Sequence, residues 1–504
     1  VKSSTEPGAG APANAPDGDP SETVLADATG LSQWLNARAD AATTGELAAS
    51  RLGQVSWALY EWARDPFVLL ITIYLFAPYF TNFVIGDGVR GQGLLGEIQA
   101  YSGIVIAVLA PFLGAIADSG GRRKPWIALY SLILAGAMFM LWFAMPHATG
   151  FSLFMVGAWW ALANVAYEFS SVFHNALLPS IASPRRIAGL SGLGLALGNA
   201  AGIVLLLFML IAFALPGKLP WSFIPAHALF GIDQAAHEPE RLSGPLEAVW
   251  LLVFALPLFL FTPDRPSSHL PLASAMREGV KSVIRTIRSL KHYRNVGMYL
   301  LARLFFNDGM TAVLVFGGAY ASSTFHWGPI QMLLYGIELS IFAVVGGFFG
   351  GWLDNVFGSK RAIFISIGGT AVAGLVSLTM APDRILWFIA YDPAHKIAGM
   401  PYFNTWPEVI YLGIVNFVAV LITAGYANSR TMLARIAPPE KMTEFFGLYS
   451  LSGQSTSFLA TAFVSWLTFT SHSQRIGLLG ETLFLAVGLI LMIFVREERA
   501  TAAG

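Results

Sequence analysis

The sequence predicts an all-α membrane protein with twelve transmembrane helices in two six-helix, parallel-repeat halves. Three observations carry this prediction. Of the 504 residues, 55% are hydrophobic and only 12% charged, whereas a soluble domain carries about a quarter charged residues. Apolar runs of roughly 20 residues, enough to span a bilayer, recur along the chain. A pattern of small residues, a carboxylate and a basic turn also occurs twice. The first copy is Gly114-Ala-Ile-Ala-Asp118-Ser-Gly-Gly121-Arg122-Arg123-Lys124, and the second is Gly350-Gly-Trp-Leu-Asp354-Asn-Val-Phe-Gly358-Ser-Lys360-Arg361.

In chain order, residues 1–50 read as disordered to weakly helical, since the first 30 are too poor in apolar residues to offset chain entropy. They also show no signal-peptide pattern, so the first span is expected to act as the insertion signal. Spans are placed at 54–80, 97–118, 125–145, 151–179, 187–215, 246–262, 296–323, 329–353, 361–381, 408–434, 443–470 and 474–495. Residues 51–262 form the first half, 263–295 a linker, 296–495 the second half and 496–504 a tail. Loops on the amino-terminal side hold 20 Lys and Arg, against six on the other side. That bias puts both termini in the cytoplasm, and the short loops suit a bacterial inner membrane.

Within the linker, Met276, Val280, Val283, Ile287 and Leu290 line one helical face, and Arg277, Lys281, Arg285 and Arg288 another. A basic amphipathic helix over 273–292 would lie on anionic lipid; a solvated linker helix fits the pattern equally. The formal net charge is zero and there is no cysteine. Nucleic-acid binding is therefore not expected, and disulfides and thiolate chemistry are excluded. No metal-site, nucleotide-loop or dinucleotide motif is present, so neither catalysis nor a metal or other cofactor is expected.

The repeat extends beyond the basic turns. Ile181-Ala182, Gly192 and Gly198 recur 255 residues later as Ile436-Ala437, Gly447 and Gly453. The turn signature resembles that of the major facilitator superfamily, whose fold pairs two such halves in the same sense. Ser56-Trp57-Ala58-Leu59-Tyr60-Glu61-Trp62-Ala63, Asn307-Asp308-Gly309 and Glu444-Phe445-Phe446-Gly447-Leu448-Tyr449 narrow the resemblance. They look like the vacuole-effluxer-like branch, related to autophagy-linked fungal amino-acid effluxers and bacterial permeases. Arg64-Asp65-Pro66 departs from the small polar residues usual in that branch.

Ionisable groups at membrane depth are costly and mark cavities, partners or pathways. Here they fall on the first span (Glu61, Arg64, Asp65), the fourth (Glu168, His174) and the seventh (Arg303, with Asn307, and Asp308). The tenth span carries Asn416, Tyr426 and Asn428, then Arg430 toward its inner end. Those four spans line the central cavity in the superfamily that the chain resembles; only Glu338, on the eighth, breaks the pattern. Asp65 and Asp308 lie about 18 Å into their spans, each before a helix-disrupting residue.

Glu168 and Asp308 are the proton-coupling candidates, because desolvated carboxyls can take up protons. Arg64 and Arg303 are candidates for holding a substrate carboxylate. The competing reading makes Glu61–Arg64 and Arg303–Asp308 structural ion pairs, and His174 a packing or capping group. In the resembled family the signature carboxylate faces the start of the eleventh helix, so Asp118 and Asp354 are expected to latch the cytoplasmic side. Gly194, Gly198 and Gly202, and Gly346, Gly347, Gly350 and Gly351, are expected to permit close helix packing.

The expectation is a monomeric, proton-coupled secondary transporter of a small polar or zwitterionic solute, with amino acids favoured by the resemblance. A non-transporting scaffold or sensor, and an effluxer of drugs or organic anions, are the alternatives. The outer loops 216–245 and 382–407 suit either a lid or a cover for helix ends.

Overall fold

A computed structural model describes residues 42–497, apart from 45–46, 87, 218–222, most of 265–292, 328, 401 and 455–456. The linker helix expected at 273–292 thus lies outside the described residues. Helix α1 (Arg51–Arg64) ends at the Asp65-Pro66 step, and the chain continues as a π-helix at Val68–Tyr74 and another at Phe80–Val84. A proline cannot donate its backbone N–H, so the regular ladder breaks there. Next come α2 (Gly88–Gly120), α3 (Lys124–Met140), α4 (Leu153–Ile181), α5 (Ile187–Met209) and α6 (Glu238–Phe261). The remainder comprises α7 (Arg294–Phe325), α8 (Pro329–Phe357), α9 (Ser359–Ser377), α10 (Trp406–Ile436), α11 (Met442–Gln454), α12 (Ser457–Ser471) and α13 (Gln474–Ile493).

Nine of the described helices are long and apolar enough to cross a membrane. Of the other three expected spans, 51–84 and the α11–α12 pair are broken into α-helices of 14, 13 and 15 residues, while the 29-residue α4 carries Asn164, Glu168, His174 and Asn175 along its length. Helix α6 starts eight residues before its expected span. Its first turn holds Glu238, Pro239 and Glu240, and acidic groups there suit the positive end of the helix dipole. The loop expected at 382–407 contains a two-residue-strand hairpin, Arg384–Ile385 against Ile389–Ala390.

The described residues of 42–50 run as non-helical chain against the end of α4. Backbone N–H groups of Thr43, Thr44 and Ala49 donate to the carbonyls of Ala182, Pro179 and Ile181. The end of a helix leaves carbonyls without intrahelical partners, and this segment satisfies those of α4.

The two basic turns are built alike. Lys124 Nζ donates to the carbonyls of Phe259 (2.8 Å) and Thr262 (2.7 Å), at the end of α6. Lys360 Nζ does the same to Ile493 (3.0 Å) and Val495 (2.7 Å), at the end of α13. The Asp264 carboxylate accepts from the N–H groups of Arg123 and Lys124, each at 3.0 Å. Glu497 accepts from those of Ser359 (2.8 Å) and Lys360 (3.2 Å). Each lysine therefore satisfies orphan carbonyls, and each carboxylate meets the positive start of a helix.

Close glycine contacts bring the amino-terminal and carboxy-terminal helices together, at the end of the bundle where α1 begins. A Cβ on Gly192 of α5 would sit 2.2 Å from the Gly347 carbonyl of α8, and one on Gly351 would sit 3.1 Å from the Ala188 carbonyl. Gly194 and Gly198 abut α1, Gly202 abuts Leu69 just beyond it, and Gly346 and Gly350 abut α10. All these glycines allow close packing, as expected from their spacing.

Candidate functional site

A cavity of about 450 Å³ lies between the amino-terminal and carboxy-terminal helices. Among the expected site residues, Glu61, Arg64, Asp65, Glu168, Arg303, Asn307 and Tyr426 line it; His174, Asp308, Glu338 and Asn428 do not.

Glu61 is 1% exposed and lies between two guanidinium groups. Arg64 Nη2 reaches its Oε2 at 2.7 Å, and Arg430 Nη1 reaches its Oε1 at 2.5 Å. Three residues separate Glu61 from Arg64, which puts both on one face of α1. Arg64 also donates to Asp65 Oδ1 at 2.9 Å, and Tyr167 OH donates to the same oxygen at 3.1 Å. The Arg64 guanidinium lies 4.5 Å from the Tyr167 ring centroid. The Glu61–Arg64 pair is thus present, with a second cation beside it.

Arg430 is that second cation. It is 5% exposed, inside α10. Besides Glu61 it donates to Asn175 Oδ1 at 3.0 Å, Ser191 Oγ at 2.9 Å and the Ser191 carbonyl at 2.6 Å. One guanidinium thereby joins α1, α4, α5 and α10. Its planar fork of donors suits such convergence. Gly194 leaves room for the pair: a Cβ there would come 3.2 Å from Glu61 Cγ and 3.4 Å from Arg430 Nη2.

Across the cavity, Arg303 reaches toward α11. Its Nη1 donates to the Tyr449 carbonyl at 2.5 Å and to Ser452 Oγ at 2.7 Å, and its Nη2 to Asn307 Oδ1 at 3.2 Å. The guanidinium stacks 3.4 Å from the Tyr449 ring centroid, an attractive cation–π arrangement. Residues 303 and 307 lie one helical turn apart, so both face α11. Gly453 provides the space, since a Cβ there would sit 2.9 Å from Arg303 Nη1. Its repeat partner Gly198 does the same for Asp65, with a Cβ 2.2 Å from Oδ2.

The other candidates lie off the cavity wall: Glu338 is half-buried, and His174 Nδ1 stands 3.5 Å from Glu61 Oε1, behind the charged cluster. His174 is fully buried, stacks on Trp57 at 4.4 Å and bonds the Trp57 carbonyl at 2.9 Å. Asp308 is fully buried beside Gly309. Glu338 Oε1 accepts from Asn416 at 2.5 Å, and Asn428 Nδ2 lies 3.4 Å from Ser366 Oγ. Asp354 forms an ion pair with Arg435 at 2.7 Å and accepts from Ser359 Oγ at 2.7 Å, which ties together the ends of α8, α9 and α10. Of the first signature copy, Gly114 is buried in α2 and Gly121 has positive φ at the turn. Arg122 is exposed there, and the Asp118 side chain lies outside the described residues. In the second copy Gly358 has positive φ, which favours glycine, and Arg361 is exposed.

The sequence reading missed Asn175, Asn199, Tyr167, Ser171 and Thr311 on the cavity wall. The signal for Asn175 was available: it lies 255 residues before Arg430, the spacing of Gly192 to Gly447.

This arrangement can meet a polar solute of mixed charge with both carboxylates and guanidinium groups. Fold and cavity together are those of a secondary transporter of the major facilitator type, an integral, multi-pass membrane protein for small molecules. Solved structures with this fold include the proton:xylose symporter XylE, at TM-score 0.60 and 12% identity over 89% of this chain and 96% of that one. A bacterial homologue of the iron transporter ferroportin matches at TM-score 0.59 and 13% identity, over 87% and 98%. The chain belongs to the vacuole effluxer Atg22-like family, whose model matches residues 98–504. Related proteins include the uncharacterised MFS-type transporter YxiO of Bacillus subtilis, 21% identical over 88% of this chain and 95% of its own length. Autophagy-related protein 22 of Yarrowia lipolytica is 23% identical over 68% of this chain and 56% of its own length.

Proposed function

We propose that this protein carries a small zwitterionic solute, amino acids foremost, by alternating access coupled to protons. One observation carries the reading. The cavity is lined by three acidic side chains, Glu61, Asp65 and Glu168, and three basic ones, Arg64, Arg303 and Arg430. A neutral cavity with both signs of charge matches a solute that is itself neutral and carries both. Arg303 suits the solute carboxylate, because guanidinium forks match that shape. Asp65 and Glu168 on the opposite wall suit an ammonium group. The vacuole-effluxer resemblance favours amino acids among such solutes.

Glu168 is the coupling candidate with access to the cavity, and Asp308 a second one buried behind it. The halves 51–262 and 296–495 would rock about this site, joined by 263–295. With both termini cytoplasmic, the glycine contacts of α5 and α8 close the cytoplasmic side. A bacterial inner membrane and a monomeric state complete the reading.

Uptake of a labelled amino-acid mixture into proteoliposomes, with and without an imposed pH gradient, tests it. Accumulation that collapses when the gradient is dissipated is the expected result. Absence of flux for every amino acid, from folded protein, overturns the substrate assignment. Flux indifferent to the gradient overturns the coupling.

A further inference from the structure

Helices α6 and α13 carry a repeat that the cavity does not use. Arg241 and Glu247 on α6 recur as Arg475 and Glu481 on α13, both displaced by 234 residues. The two arginines do the same work. Arg241 Nε donates to the Trp142 carbonyl, at the end of α3, at 2.8 Å, and Arg475 Nη2 to the Met380 carbonyl, just after α9, at 3.2 Å. These anchors set equivalent rotations for the two helices. Six residues on, each places a glutamate inside the protein rather than toward lipid.

Glu247 is 0% exposed and Glu481 is 6% exposed. Neither Glu247 oxygen has a hydrogen-bond partner, and Glu481 Oε2 has none. Glu247 lies beside the Asp65-Pro66 break, where the like charge of Asp65 acts on it and the Phe67 N–H stands near without completing a hydrogen bond. Elsewhere around α6, Tyr79, Glu240 and Arg241 gather toward the outer end, and Lys124 of α3 holds the opposite end. Glu481 lies behind Gly309 of α7, whose Cβ would sit 3.1 Å from the Glu481 carbonyl. The Tyr411 phenol interacts with it. Tyr320 of α7 engages Arg475, at 3.3 Å, and Thr468 of α12 contacts Gly477.

We propose that Glu247 and Glu481 are a repeat-related pair of proton-binding sites outside the cavity, each holding its carboxyl in the neutral acid form. An ionised carboxylate without a partner costs far more in an apolar interior than a neutral acid does. A counter-cation would remove that cost, but the charged side chain acting on Glu247 is Asp65, of the same sign. A proton on Glu247 relieves that repulsion. Because Asp65 lines the cavity, proton occupancy at Glu247 is felt at the cavity wall without Glu247 touching the solute. Glu481 has no such charged neighbour acting on it among the described residues, so its proton is expected to be the less coupled of the two.

This inference does not depend on what the cavity carries. The test uses the full-length protein in lipid nanodiscs, treated with N,N′-dicyclohexylcarbodiimide. That reagent adds to neutral carboxylic acids in apolar surroundings: the acid proton passes to a nitrogen as the carboxyl oxygen bonds the central carbon. Peptide mapping should find Glu247 and Glu481 both modified at neutral pH, with labelling lost as pH rises. In infrared spectra, Glu247→Gln and Glu481→Gln should each remove part of the neutral-acid carbonyl band. Folded wild-type protein unmodified at both positions, or a band unchanged in both variants, overturns the proposal. Modification of one glutamate alone overturns the pairing. Failure of amino-acid flux in proteoliposomes would move none of these readouts, so the two readings fail separately.

Discussion

Asn175 and Arg430 stand 255 residues apart, at equivalent positions of the internal repeat, and Arg430 Nη1 donates to Asn175 Oδ1 at 3.0 Å. Residues related by a two-fold repeat meet only where they lie close to the axis relating the halves. The contact therefore marks the centre of the molecule. Duplicated positions there have diverged into a donor and an acceptor, which join where two arginines would meet only as like charges.

Arg430→Ala removes the cation that joins α10 to α1, α4 and α5. Arg64 still neutralises part of the Glu61 charge, so the expected loss is about 3 kcal/mol, at the low end for a broken buried pair. Thermal unfolding in detergent measures it. A variant as stable as wild type would show that the contact carries no net stability.

Arg303→Lys keeps the charge and loses both the fork to Tyr449 and Ser452 and the stack on the Tyr449 ring. A charged hydrogen bond contributes about 1.5–3 kcal/mol, so solute affinity should fall about tenfold or more. Half-saturation in a flux or binding assay reads this. Unaltered affinity would remove Arg303 from the solute site.

Gly192→Val places side-chain atoms where the Gly347 carbonyl sits, 2.2 Å from the Cβ position. Overpacking of this kind costs about 1–3 kcal/mol, and here it falls on the contact between α5 and α8. A single reporter cysteine at Ala188 should therefore react faster with a membrane-impermeant thiol reagent. The native chain has no cysteine, so the reporter is free of background.

Gly189→Cys with Asn355→Cys puts two thiols at the same crossing, where a Cβ on Gly189 lies 3.9 Å from Asn355 Nδ2. The oxidised protein should bind solute but not turn over, and a reductant should restore flux. Flux undiminished by a fully formed disulfide would mean that α5 and α8 do not separate during transport.

Asp264→Ala and Glu497→Ala each remove the carboxylate at the start of a helix. Each should cost about 1–2 kcal/mol, as capping groups do. Glu497→Ala should cost more, because Glu497 also pairs with Arg435 at 2.9 Å. Unfolding midpoints of both variants check the order.

The site was legible where chemistry follows from local spacing. Glu61 with Arg64, and Arg303 with Asn307, are three and four residues apart, and a helix brings such pairs onto one face. The glycines of α5 and α8 announced close packing in the same way. The partners of Arg430 were not legible, because distance along a helix does not tell whether a turn near its end meets water or another helix. Glu247 and Glu481 were missed because their shared spacing shows only when α6 is aligned with α13.

Composition, apolar run length and the duplicated turns were enough to reveal a membrane protein of this fold, because a bilayer demands about 20 apolar residues per crossing whatever packs beside them. The cavity belongs to another level. Its contacts join Glu61 to Arg430 and Arg303 to Tyr449 across 369 and 146 residues. Which guanidinium meets which carboxylate depends on how helices pack, and on glycines such as Gly194, Gly198 and Gly453 that leave room for the charged group. Periodicity along one helix holds no information about the rotation of its neighbour.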